Sequence, residues 1–331
     1  MISALVRLSK LLNFNQRKSF LFIIFLMIIF SILEMFSIGL LIPIFSITLG
    51  NEAEINNFFS NFILNFFQEF DQQTTLIALF FVFFIIFLIK FIFSFILFLI
   101  RNNFAYNIRN DFSKRIFSSY LNKPLGFHIR NNSSKIAINC KYEIDLFTSN
   151  ILLPSLDMIS DLFISIALFT LLLIFDPLIT IFVLIFFGLV IFVYQFVLKK
   201  RSMIWANERQ YYDRLINKVI REGLNSIREI IFNDKINFFV KKLKHYLYRN
   251  LVVSVRSQMS TDMPKHFLEF ISIVSFILIF FFMTKWSYSV NEVLVLLALF
   301  AAVSFKMLPT FNRFMANTQR IRYAFPIIKM L

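Results

Sequence analysis

Four ionisable residues fall inside long apolar runs of this sequence: Glu34, Lys90, Glu269 and Lys306. A charge in the hydrocarbon of a bilayer is costly, so residues of this kind face one another, a polar cavity or the membrane border. Glu34 follows Lys18 by 16 residues and Lys90 precedes Arg101 by 11, which places the two about 8 Å apart in depth when both basic residues mark the same border. A lysine side chain nearly bridges that gap. Two roles are therefore open: an ion pair that holds two helices together, or a lining that meets the polar head group of a ligand. Glu269 and Lys306 sit near the inner ends of their runs, where they can snorkel to the interface or pair with each other. Asp157 and Asp161, at i and i+4 early in another run, are expected on a solvated helix face.

Little else in the chain suggests chemistry. His128, His245 and His266 are scattered, with no repeated Cys or carboxylate spacing, so no metal is expected. The single cysteine, Cys140, excludes an internal disulfide. No Ser-His-Asp spacing, G-x-S-x-G elbow or H-E-x-x-H motif occurs. The only glycines are Gly39, Gly50, Gly126, Gly188 and Gly223, which leaves no G-x-x-x-x-G-K-[ST] phosphate loop. A net charge of +15 is accounted for by a basic inner surface of a membrane protein, and a nucleic-acid partner is not expected.

The elements that position these residues follow from hydropathy. At 58% hydrophobic residues and a mean hydropathy of +0.73, the chain reads as an all-α integral membrane protein. Six segments are long enough to cross a bilayer: Ser19 to Leu49, Thr74 to Ile100, Leu152 to Phe175, Pro177 to Leu198, Phe267 to Met283 and Val290 to Leu308. The first is too long, and too poor in small residues at a cleavage position, to be a removed signal peptide. The connection from Asn51 to Gln73 carries Glu52, Glu54, Glu69 and Asp71 without a basic residue, whereas Arg101 to Ile151 holds eight Lys or Arg and Lys199 to Lys265 holds fifteen. The positive-inside rule then places both basic connections and both termini in the cytoplasm. The expected organisation is a cytoplasmic segment over 1–18, a six-span domain over 19–310 with intracellular hairpins over 101–151 and 199–265, and a linker beginning within 311–331.

Neither basic connection reads as a loop. Phe104, Ile108, Phe112 and Ile116 continue the second span at four-residue spacing, with no Gly or Pro before Pro124. One helix from Thr74 to Asn122 would be roughly 70 Å long. A return helix is expected from Ser133, with Ile136, Cys140, Ile144, Phe147 and Ile151 along one face. The second connection repeats the plan: a helix from Asp176 to Glu222, a reversal near Gly223, and a return to Pro264. Two hairpins thus reach beyond the membrane and end in KPLGFHIRNN and REGLNSIREI. Turn chemistry explains the residue types of these corners but not the length of the helices that carry them.

This pattern resembles the transmembrane half of an ABC exporter, with six spans, long cytoplasmic extensions and two coupling helices. SSYLNKPLGFHIRNNSSKIAINCKYEID is similar to that family's first intracellular loop, and REGLNSIREIIFNDKINFFVKKLKHY resembles its second. The resemblance implies that Pro124, Phe127, His128 and Ile129, together with Gly223, Leu224, Asn225 and Ile227, dock on a nucleotide-binding domain. ATP and Mg would belong to that domain, fused downstream or separate, because these residues hold no catalytic site of their own. FSILEMFSIGLLIPIF, PKHFLEFISI and FKMLPTFNRF resemble segments of bacterial lipid-linked oligosaccharide flippases more narrowly. The function implied is outward movement of an amphipathic or lipid-linked substrate by alternating access across the bacterial inner membrane. A transporter for another lipid, peptide or drug is one alternative, and a non-transporting six-span regulator or channel subunit is another. Apolar faces such as Phe104, Ile108 and Phe112 are expected to lack cover within one chain, which points to a twelve-span homodimer.

Between the first two spans, Phe58, Phe59, Phe62, Ile63, Phe66, Phe67 and Phe70 form one stripe of a helix over about 54–70. Lying flat at the outer surface, in contact with membrane lipid, it is either a passive connector or a holder, through Phe59, Phe62 and Phe66, of a polyprenyl tail.

Overall fold

The computed structural model describes residues 13–48, 72–131, 133–177, 211–285 and 290–328, with isolated positions between 180 and 209. All regular elements among these residues are helical. The chain divides into two compact units, one of Met1–Val183 with Ser272–Leu331 and the other of Leu184–Ile271. Four helical stretches among the described residues are long and apolar enough to cross a membrane: Phe14–Thr48, Gln73–Leu121, Tyr142–Phe175 and Val293–Ile321. Of the other two expected spans, Pro177 to Leu198 falls mostly outside the described residues, and Phe267 to Met283 belongs to a longer helix.

In the first unit α1 (Phe14–Gly39) and α2 (Leu41–Thr48) make up the first span, interrupted at Leu40. Pro43 explains the interruption, since it cannot donate to the Gly39 carbonyl and its ring crowds that turn. Helix α3 (Gln72–Leu121) has 50 residues and is about 75 Å long. It contains no Gly or Pro and ends where Lys123 precedes Pro124, a position that disfavours helix. After the short α4 (Leu125–Arg130), the return is not the single helix expected. It consists of α5 (Ser133–Cys140), α6 (Tyr142–Phe147), a π-helical turn (Thr148–Leu152) and α7 (Leu153–Phe175). The wide turn has a cause in Pro154. That residue leaves the Asn150 carbonyl without its usual donor, and the Leu153 N–H reaches back to Thr148.

These breaks matter for packing. Ile144, Phe147 and Ile151 are buried as expected of their shared face, and they close over Phe104, Ile108 and Phe112 of α3 and Ile23 and Met27 of α1. Phe104, Ile108 and Phe112 are only 7%, 1% and 6% exposed. The expectation that they lack cover within one chain is therefore overturned, because α6 and the π turn supply it.

In the second unit, α8 (residues 211–225), α9 (Ile227–Phe232) and the first part of α10 (Ile236–Lys285) form a hairpin. The chain does not reverse near Gly223, which is inside α8 with space for a Cβ, Phe239 being 3.7 Å away. The reversal comes after α9. Asp234 adopts φ 52°, its N–H bonds to Ile231 O at 3.2 Å and the Lys235 N–H to Ile230 O at 2.9 Å. This is a Schellman end with Asp in the left-handed position that Gly usually takes. Asn250 of α10 donates to Asp213 of α8 at 2.6 Å and fixes the hairpin register. Helix α10 continues through Pro264, and α11 (Val290–Ile328) continues through Pro309. Residues 311–328, read from sequence as the start of a linker, are thus helical.

The α3–α6 core generates a stability prediction. Phe147 is 1% exposed and its ring centroid lies 5.6 Å from that of Phe112. Phe147→Ala should lower stability by about 3–5 kcal/mol, whereas Phe117→Ala, at a 54% exposed site of the same helix pair, should change it by less than about 0.5 kcal/mol. Thermal unfolding of the purified protein in detergent measures both, and equal losses would refute the assigned core.

Candidate functional site

Three helices of the first unit converge on one carboxylate. Glu34 of α1 is fully buried, and its Oε1 lies 3.1 Å from Lys90 Nζ of α3 and 2.7 Å from Lys306 Nζ of α11. Ser37, one turn along α1, accepts a hydrogen bond from Lys90 at 3.1 Å while its own hydroxyl donates to the Glu34 carbonyl at 2.8 Å. Lys90 also stands 4.4 Å from the centroid of the Phe87 ring. The ion pair between Glu34 and Lys90, one of the two roles left open by the sequence, is formed.

Helix register accounts for the meeting. Gln16 of α1 donates to Asp111 of α3 at 2.9 Å, so Lys18 is nearly level with Arg109 and not with Arg101. Shifting the two helices accordingly reduces the depth mismatch between Glu34 and Lys90 to about 4 Å. Lys306, read from sequence as a border residue, is the nearer of the two partners. Glu269 approaches His266 at 3.5 Å on its own helix.

Further along α3 two more cations reach carboxylates of neighbouring helices. Arg101 pairs with Asp157 of α7, and Arg109 pairs with Asp145 of α6. Arg115 pairs with Asp111 one turn back at 2.7 Å. Four of the cations of α3 follow an aromatic by three residues and stand over its ring: Phe87 then Lys90, Phe98 then Arg101, Tyr106 then Arg109, Phe112 then Arg115. A ring on one side and a carboxylate on the other restrict the long side chain before any partner is met. Arg313 of α11 reaches Asp161 of α7 at 2.9 Å, and the aspartate is only 5% exposed. Asp157 and Asp161 are therefore interhelical ion-pair partners and not a solvated face. Their i, i+4 spacing shows that they share a face but not what the face meets.

The two corners differ from their sequence reading in detail. Pro124 begins α4. Phe127 folds back to stack on Tyr120 with centroids 5.9 Å apart, and His128 meets its edge at 5.6 Å. The Phe127 carbonyl accepts from both the backbone and the side chain of Asn131. Phe127 and His128 thus brace the corner, while Ile129 and the unanticipated Leu125 are 78% and 75% exposed. At the other corner Leu224 is 69% and Ile227 46% exposed, Asn225 is exposed, and Gly223 rests beside Phe239. Ile231 and Phe232, missed from sequence, are 61% and 92% exposed. The spacing of IREIIF held the signal: Ile230 is the inward residue and its neighbours must face out. Phe59, Phe62 and Phe66 lie outside the described residues.

A protein-family model for the ABC transporter transmembrane region matches residues 40–307. No curated protein matches the chain.

The shared carboxylate predicts non-additivity. Lys90→Met or Lys306→Met leaves Glu34 one ammonium partner, and each should cost about 1 kcal/mol. The double variant strands a buried carboxylate and should cost about 3–5 kcal/mol, more than the sum of the singles. A thermal-unfolding cycle over the four proteins checks this, and strictly additive losses would mean that the lysines do not share Glu34.

Proposed function

Because the chain belongs to the ABC transporter transmembrane family, we propose that it is the membrane half of an ATP-driven exporter that moves an amphipathic or lipid-linked substrate outward by alternating access. The observation that carries this reading is the pair of corners. Each sits at the end of a helix hairpin, and each presents bare apolar side chains, Leu125 and Ile129 in one and Leu224, Ile231 and Phe232 in the other. Apolar surface at the tip of a long hairpin is surface kept for a partner. In this reading both corners face the cytoplasm of a bacterium, whose inner membrane holds the protein with both termini inside. They seat on nucleotide-binding domains that bind ATP and Mg. A non-transporting regulator or channel subunit offers no reason for two such tips.

Six spans per chain and a second copy complete the transporter. With Phe104, Ile108 and Phe112 covered internally, the case for a homodimer now rests on the family and not on uncovered faces. For the substrate, the resemblance of FSILEMFSIGLLIPIF and FKMLPTFNRF to lipid-linked oligosaccharide flippases favours a polyprenyl-linked sugar over a peptide or drug.

Two tests follow. Cysteines at Leu125 and Phe232 should cross-link to the nucleotide-binding domain, and Leu125→Asp with Ile129→Asp should reduce transport at least tenfold while ATP hydrolysis and membrane insertion persist. Normal coupling in that variant would make the corner a turn only. Replacing Phe59, Phe62 and Phe66 with Ser should abolish oligosaccharide flipping without loss of insertion, and unchanged flipping would remove their role in holding a lipid tail.

A further inference from the structure

We propose that the π turn Thr148–Leu152 is a hinge at which α7 pivots against α6, with the Arg101–Asp157 pair as the latch that holds it in place. The hinge stands on the geometry of this chain, and only its use in alternating access rests on the exporter reading.

The backbone supplies the first argument. Bending a helix breaks hydrogen bonds on its outer side, and at this turn two α-helical bonds are already missing. The Leu153 N–H goes to Thr148 and not to Ser149, and Pro154 has no N–H to give Asn150. A proline and a π turn, each a cause of helix bending, thus fall together. Asp145 lies opposite Arg109 and Asp157 opposite Arg101, so the turn between them sits on the water side of Arg101. Ser149 is exposed and Asn150 half-buried, which lets water replace the missing donors.

Attachment supplies the second argument. Before the turn, Ile144, Phe147 and Ile151 are set in the core with Phe104, Ile108 and Phe112, and Asp145 holds Arg109. Helix α6 therefore belongs to α3. Leu156 is the last buried α7 side chain of that core. Beyond it α7 is tied to α11, where Arg313 reaches Asp161 at 2.9 Å and the Thr318 hydroxyl points to the Met158 sulfur at 4.0 Å. The irregular turn is the joint between two differently anchored stretches of one helix.

The ionic contacts across this joint are of a kind that can open. Arg101–Asp157 and Lys306–Glu34 join the two sides. Glu34 keeps Lys90 when Lys306 withdraws, so opening strands no buried carboxylate. Arg101 and Asp157 are 19% and 32% exposed, and water reaches both as they part. Register adds a further property. A π turn holds one residue more than the α turn it replaces, so removing one residue there restores a continuous α-helix with both flanks in place.

The test uses the full chain in nanodiscs, in a Cys140→Ser background diluted with unlabelled protein, and measures distances between pairs of spin labels by pulsed electron resonance. Leu121 of α3, Tyr142 of α6 and Ile166 of α7 are exposed positions for the labels. Leu121–Ile166 spans the hinge and should give a distribution about twice as wide as Leu121–Tyr142, which does not span it. Deleting Ser149 should narrow the first distribution to the width of the second and lower the melting temperature by less than about 4 °C. Deleting Ser165, in the regular part of α7, turns Leu168, Leu171 and Leu172 out of their buried positions and should lower it far more. Pro154→Ala should narrow the Leu121–Ile166 distribution without any deletion. Asp157→Asn, which frees the latch, should move its weight toward the longer distance and leave Leu121–Tyr142 unchanged. Equal widths for the two pairs in the wild-type chain would overturn the hinge, as would a wide Leu121–Ile166 distribution that survives both the deletion of Ser149 and Pro154→Ala. A deletion of Ser149 as damaging as that of Ser165 would also overturn it. Because the motion is read without nucleotide, a hinge that moves in a chain whose corners fail to couple would refute the exporter reading alone.

Discussion

A helix of 50 residues does not fit a bilayer whose hydrocarbon is about 30 Å thick, because it is more than twice as long. One stretch of α3 must satisfy lipid and the remainder must satisfy water. From Phe80 to Leu99 most of its large apolar side chains stand exposed, while Leu97, at 6%, turns into the core. Beyond Arg101 the outward positions become Asn103, Tyr106, Asn107 and Asn110. The other helices of the first unit are arranged around this change of solvent.

What attaches them to α3 also changes along its length. In the aqueous stretch Phe104, Ile108 and Phe112 enter a core closed by α1, α6 and the π turn. That core is reinforced by ring-braced cations that reach carboxylates on neighbouring helices. Within the apolar stretch only Lys90 remains of these cations, and its carboxylate is shared with α11 through Lys306. Exposed ion pairs contribute little, whereas one stripped of water strongly penalises any separation of its partners. The meeting of α1, α3 and α11 at Glu34 is therefore the most constrained point of the span region.

Features set by local covalent rules are legible in the sequence, and features set by rotation about a helix axis are not. The length of α3 is readable because neither Gly nor Pro interrupts it before Pro124. Depth is readable too, which is why Glu34 and Lys90 stand out as partners. Azimuth is hidden: Lys306 and Asp161 read as residues in bland surroundings because a position along a helix does not say which neighbour it faces. Proline misleads in two directions. Pro154 is inconspicuous inside an apolar run although it opens a π turn, and Pro264 reads as a boundary although α10 continues through it. The second corner is expected at Gly223 because glycine is the usual left-handed residue, while Asp234, also tolerant of that region, makes the turn. Phe127 is expected among the contact residues of its corner, together with Pro124, His128 and Ile129. Its stacking on Tyr120 turns it inward and leaves Ile129, also expected, and Leu125, not expected, as the exposed apolar side chains there.

The account stands on α3 leaving the membrane as an unbroken helix, and labelling of single cysteines tests that most directly. In a Cys140→Ser background, cysteines at Phe81, Phe84, Phe91 and Phe95 and at Asn103, Tyr106, Asn107 and Phe117 all occupy positions that the protein itself leaves exposed, so their reactivity reports solvent and not packing. With a membrane-impermeant maleimide applied to vesicles open on both faces, the second set should label fully and the first should not. Protection of both sets alike would place the whole of α3 within the bilayer or an interface and contradict the account.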